Sequence, residues 1–195
     1  MKETKNEMLA VLNVLKSPEI EYNANNISKI LRITSMGALK ILKRLEKEGI
    51  LVSRKIGKAS VYKINFGNKY SCDYTEFLLK REAEEAPSYI KRWIYELRKI
   101  KEADIIVIFG SVLKIWEKAK DIDALFVIKQ KYFNALKRSI EKLNSINEKK
   151  IHPIYQTLND FKKNINKRDK IMLDVVKGIV IFGEKKIVSL LTSLK

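Results

Sequence analysis

Apolar residues return every three or four positions along the first third of the chain. Met8, Val11, Leu12 and Leu15 do so within residues 3–16, which predicts one amphipathic helix. Ser17-Pro18 stops it, because the residue before a proline resists the helical region. A shorter helix turns Ile27, Ile30 and Leu31 inward, with Asn25 or Asn26 as its cap. After a three- to four-residue turn, Thr34 or Ser35 caps a third helix, whose buried stripe is Ala38, Leu39, Leu42 and Leu45; Gly49 ends it. The period then drops to two. Residues 50–56 and 60–66 read as strands, with Tyr62, Ile64 and Phe66 alternating and Gly57-Lys58 between them. Two helices come next, over 73–86 and 87–101. Pro87 suits the first turn of the second, and Ile90, Trp93, Ile94, Leu97 and Ile100 give it a broad face for the core of the C-terminal part, or else for an intermolecular interface.

From residue 102 the apolar positions run together. Ile105–Phe109 and Ala124–Ile128 have the length and continuity of buried strands. Residues 131–146 form an amphipathic helix on Phe133, Leu136, Ile140 and Leu143. Residues 150–156 read as a third strand, 158–177 as helix, 178–183 as a last short strand and 184–194 as a final helix. Helices and strands thus mix in an α/β (α+β) chain of three parts: a small domain at 1–70, a helical connector at 71–101, and a domain at 102–195 with a mixed sheet flanked by helices.

Composition narrows the functions. At 195 residues the chain is one large domain or two small ones. With 46% hydrophobic residues and only 7 Gly and 3 Pro it is neither a disordered basic tail nor low-complexity. No apolar run approaches the ~18 residues that span a bilayer, and the N-terminus does not read as a signal peptide. The lone Cys72 allows no intrachain disulfide and no metal-ligand cluster. A cytoplasmic protein with no membrane partner is the expectation.

Lys+Arg number 40 against 23 Asp+Glu, a net charge of +17. Residues 1–70 hold 14 against 6, residues 71–101 hold 7 against 6, and residues 102–195 hold 19 against 11. Both ends are basic, which attracts polyanions. On the third helix Lys40, Lys43, Arg44 and Lys47 share the sector opposite the leucines. Its first turn offers Ser35, Met36 and Gly37. A recognition helix sets its start against base edges and its cations on phosphates. Arg54, Lys55, Lys58 and Lys63 make the hairpin after it basic. Helix, helix, basic helix, glycine and basic hairpin, over residues 3–66, resemble the winged-helix transcription regulators of bacteria and archaea. That resemblance implies double-stranded DNA as partner. The candidate contacts are Ser35, Met36, Lys40, Lys43, Arg44, Lys47, Arg54, Lys55 and Lys58. A winged helix used for protein contacts, with its cations simply solvated, is the alternative.

The second constellation lies between the two apolar strands of the C-terminal part. Ile105–Phe109 runs into Gly110-Ser111, and after nine intervening residues Asp121-Ile122-Asp123 opens the next strand. Aspartates at i and i+2 of a strand share a face and repel unless a cation sits between them. Oxygen ligands of this kind suit magnesium, with phosphates and waters completing its shell. Gly110 lets a phosphate approach the backbone, and Ser111 offers a hydroxyl and the amides of a helix start. This pattern resembles the nucleotidyltransferase superfamily that includes DNA polymerase beta, the kanamycin nucleotidyltransferases and the minimal nucleotidyltransferases. The resemblance covers about 102–195. It implies that Gly110 and Ser111 hold the triphosphate of a nucleotide, and that Asp121 and Asp123 hold magnesium and carry catalysis. Lys120, where active members commonly have serine, would contact phosphate or neutralise the aspartates. The family's third carboxylate has no counterpart within 150–156: Glu148 precedes that strand, Asp160 lies beyond it, and His152 inside it could accept a proton.

Together these readings describe a DNA-binding, regulator-like protein whose nucleotidyltransferase-like domain binds a nucleoside triphosphate and magnesium, or serves homodimerisation. The other reading is an active magnesium-dependent nucleotidyltransferase that passes a nucleoside monophosphate to a protein or small-molecule hydroxyl, with a separate partner protein in a toxin–antitoxin pair. If the domain is unrelated to that superfamily, Asp121 and Asp123 are strand-edge solubilisers.

Overall fold

The computed structural model describes residues 4–193, with the backbone alone at Glu117. The outermost positions of the first and last expected helices, residues 3 and 194, lie outside it. Helices and strands mix in an α+β chain: among the described residues there are a four-stranded mixed sheet and a separate two-stranded hairpin. The chain divides into two compact units, Met1–Leu78 and Leu79–Lys195. The divide falls inside one helix, so the stretch 71–101 is shared between the units.

In the first unit α1 (Lys5–Lys16) starts at a capping box: Thr4 accepts from the Glu7 amide while the Glu7 carboxylate accepts from the Thr4 amide at 2.7 Å. α2 (Ala24–Leu31) is capped by Asn23, ahead of the expected Asn25 or Asn26. Asn23 accepts from the amides of Asn25 and Asn26, and the Asn26 side chain accepts from the Asn23 amide at 2.8 Å. Thr34 caps α3 (Ser35–Lys47). Its end is a Schellman motif: Gly49 takes φ +74°, its amide donates to the Glu46 carbonyl, and the Ile50 amide donates to Leu45.

Ala38, Leu42 and Leu45 of α3 are buried with Val11, Leu15, Ile27 and Ile50, while Leu39 lies half-buried at the edge. β1 (Leu51–Ile56) and β2 (Ala59–Ile64) form a hairpin through the two-residue turn Gly57-Lys58. Tyr62 pairs across to Tyr22, its amide donating to the Tyr22 carbonyl at 2.7 Å. β2 stops two residues short of the expected Phe66: beyond the Leu51–Ile64 pair the ladder gains one last in-register bond, from the Asn65 amide to the Ile50 carbonyl. α4 (Lys69–Glu84) begins four residues earlier than expected; its Ser71 hydroxyl, fully buried, donates to Ile50.

In the second unit α5 (Ser88–Leu97) takes Pro87 as its N-cap, one place before the expected first turn. β3 (Ala103–Phe109), β4 (Ile122–Ile128), β5 (Ile151–Gln156) and β6 (Ile179–Phe182) make the sheet in the order β5-β4-β3-β6. β3 is antiparallel to both its neighbours; β4 and β5 are parallel and joined through α7 (Phe133–Ile146). β3 and β4 are buried on both faces, which is why their apolar runs are continuous. Ile106, Ile108, Ala124 and Phe126 join Ile90, Trp93, Leu97, Leu136 and Ile140 in one core, so α5 and α7 cover one face.

Against the other face pack α8 (Leu158–Asn166), α9 (Lys170–Val176) and α10 (Glu184–Thr192). The single helix expected over 158–177 is broken: Arg168 takes φ +54° and Asp169 caps α9. Between β3 and β4 lies the short helix α6 (Val112–Ile115), continued by a 3-10 turn.

Candidate functional site

In the first unit α3 is held from inside by its leucines and turns its cations outward. Lys40, Lys43 and Lys47 are exposed, and none makes an ion pair among the described residues. Arg44 is different. Its guanidinium donates to Glu7 at 2.8 Å and to Glu48 at 3.0 Å, and its side chain keeps 35% of its exposure. Glu7 is 3% exposed and also closes the cap of α1. A carboxylate that deep needs a cation, so Arg44 ties α3 to α1 and is withdrawn from the exposed row. At the start of α3, Met36 is 63% exposed. Ser35 Oγ lies 3.4 Å from Ser28 Oγ on α2. Gly37 is half-buried; its amide donates to Thr34 Oγ1 at 3.1 Å, and a Cβ there would press on that oxygen.

The hairpin leaves α3 directly, tied back to it by the Ser53 hydroxyl on Glu46. Beyond Leu51 every residue of β1 is exposed. Lys55, Lys58 and Lys63 make no ion pair among the described residues. Arg54 pairs with Glu21 at 2.6 Å, but both are more than half exposed, so the pair is worth at most about 1 kcal/mol and opens readily. Burial, and then the Glu46 charge, push the Tyr62 hydroxyl above its ordinary pKa.

In the second unit the turn after β3 meets the start of β4. Phe109 and Asp123 are cross-strand partners, and Asp123 lies beside His152 on β5. His152 Nδ1 is 3.3 Å from Asp123 Oδ1, with the imidazole 77% exposed and the carboxylate 29%. Gly110 takes φ +80°, and a Cβ there would collide with the Asp123 carboxylate. Ser111 is exposed at the start of α6 and makes no side-chain cap.

Asp121 is not on the strand, as expected of an i, i+2 pair. It occupies an exposed bend one residue before β4, next to the exposed Lys120, which makes no ion pair among the described residues. The structure therefore brings together Gly110, Asp123 and His152, and leaves Lys120 and Asp121 at the rim. Among the described residues no group of three or more His, Cys, Asp or Glu side chains could hold a metal ion.

Two features carried no sequence signal. One is the engagement of Arg44 by Glu7. The other is a cavity of about 160 Å³ where β4 and β5 end, lined by Phe133, Tyr155, Gln156, Thr157 and Asp160 among others, at the opposite ends of the strands from Asp123 and His152. No helix among the described residues is long and apolar enough to cross a membrane.

No known family profile matches the chain, and no curated protein matches it. Among solved structures a Lactococcus lactis ZitR mutant aligns with 51% of this chain and 73% of its own, at 12% identity and a TM-score of 0.29. At that score the likeness bears on neither fold nor function.

Proposed function

We propose that the chain is a double-stranded-DNA-binding protein of the transcription-regulator type, with α3 as the helix that enters the major groove and β1–β2 as a wing on the backbone. The observation that carries this is the exposed row Lys40, Lys43 and Lys47, unpaired among the described residues, on a helix whose other side is fixed in the core. The hairpin adds Lys55 and Lys58, with Arg54 released at small cost. The test is anisotropy of a labelled mixed-sequence 24-bp duplex titrated with the full chain over a salt series. Binding that weakens steeply with salt supports the reading. Absence of binding at low salt contradicts it.

A second reading is favoured by one contact, the Asp123 carboxylate lying where a Gly110 side chain would be. For the second unit the proposal is a nucleotide site: Gly110, Ser111 and Lys120 toward the phosphates, Asp121 and Asp123 toward the magnesium carried by the triphosphate. The residues fit such a complex, because magnesium keeps waters and needs only one or two carboxylates beside substrate phosphates. Bound there, the ion would neutralise phosphate charge. No carboxylate stands in register beside Asp123 on β5, where His152 does, so the site is assigned to binding. Calorimetric titration of each nucleoside triphosphate with magnesium, on wild type and on Asp121→Asn/Asp123→Asn, decides. Binding lost in the variant supports the site; no binding by wild type refutes it.

A further inference from the structure

The bases that α3 can read are limited by the side chains it presents. In the major groove guanine is read bidentately by arginine or lysine, adenine by asparagine or glutamine, and cytosine by a carboxylate. α3 contains no asparagine or glutamine. Its one arginine, Arg44, is committed to Glu7 and Glu48; its one carboxylate, Glu46, accepts from Ser53, and Glu48 at its C-cap accepts from Arg44. The lysines are point charges on flexible stems, suited to phosphates. The first turn holds two side chains outward: Ser35, whose hydroxyl lies 3.4 Å from Ser28 and which discriminates little between bases, and Met36, an unbranched apolar side chain 63% exposed, beside a glycine that adds no bulk. Nothing in the core of the first unit needs Met36. The apolar group that a base pair shows in the major groove is the 5-methyl of thymine.

We propose that Met36 is a specificity-determining residue that packs on thymine 5-methyl groups, so that the preferred duplex is A·T-rich with thymine facing the first turn of α3. This rests on the reading of α3 as the groove-entering helix. Methionine is adaptable, so the preference is for a run of thymines rather than one fixed step. With Arg44 withheld, no side chain of α3 supplies a competing arginine–guanine contact.

The test begins with selection from a random duplex library by the full chain. The winning 20-bp duplex is then made twice, with thymidine and with deoxyuridine throughout, which removes only the methyl groups. Anisotropy at fixed salt compares the two for wild type and for Met36→Ala, an exposed substitution that leaves the core intact. Each methyl buried against Met36 is worth about fourfold, so wild type should prefer the thymidine duplex by roughly 4- to 15-fold. Met36→Ala should bring that ratio close to one while keeping the salt slope. Equal affinity of wild type for both duplexes overturns the methyl inference and leaves DNA binding standing. A ratio that persists in Met36→Ala overturns the assignment to Met36. Failure to select or bind any duplex overturns the underlying reading of α3 instead.

Discussion

Replacing Lys40, Lys43 and Lys47 together by alanine removes three cations without touching the core. All three are exposed, none is paired among the described residues, and alanine favours the helix at each. The fold should therefore survive unchanged, and the effect should fall on polyanion binding alone. Each phosphate neutralised contributes about −0.9 to the slope of log K against log salt on duplex DNA. Three lost contacts should make the slope shallower by about 2.7. Between 50 and 200 mM salt that is roughly a 40-fold smaller loss of affinity than wild type shows. Anisotropy of one labelled duplex at four salt concentrations measures the slope, with circular dichroism as the control for folding. A slope unchanged to within about one contact would refute the assignment of these lysines, however much the absolute affinity moved.

Individual contacts set three further outcomes. Arg44→Ala should leave that slope nearly unaltered but lower unfolding free energy by about 2 kcal/mol, less than for a fully buried pair because Arg44 is partly exposed; urea melts check it. Gly110→Ala should destabilise by about 2 kcal/mol or more, since the residue is held at positive φ and its Cβ meets Asp123; a thermal melt equal to wild type would contradict the packing. Tyr62, whose pKa is raised first by burial and then by Glu46, favours the folded state while neutral. That contribution is complete below the unfolded pKa near ~10 and is lost as pH rises through the folded value. Tyr62→Phe should thus blunt the fall in stability above that pH, and an identical alkaline decline in both proteins would contradict it.

How much was legible in sequence depended on whether the deciding partner was local. The stripe of α3 and the stop at Gly49 were readable because periodicity and a glycine cap act within one turn. The cap of α2 was not. Asn23, Asn25 and Asn26 have equal propensity, and only the reciprocal bond between Asn23 and Asn26 chooses among them. The break at Arg168 carries neither glycine nor proline, so the pattern over 158–177 reads as one helix. Both central strands start earlier than their apolar runs, because Asp104 and Asp123 are tolerated on strands: Asp104 pairs with Lys186 of α10, and Asp123 meets His152.

Spacing alone groups Arg44 with three lysines on one helical sector. It could not show that Glu7, far back in the chain, claims the guanidinium. The Gly-Ser and Asp-x-Asp segments stand at one end of the sheet as their position between strands implied. Asp121 missed the shared strand face by a single residue, since β4 begins only at Ile122.

The central claim is that duplex DNA lies on α3 and its hairpin. Lysine acetylation of the full chain, with and without a saturating duplex and read by mass spectrometry, tests it most directly. The account predicts protection of Lys40, Lys43, Lys47, Lys55 and Lys58, with exposed Lys137 and Lys162 of the second unit modified equally in both samples. Protection confined to the second unit, with the lysines of α3 still modified, would contradict it.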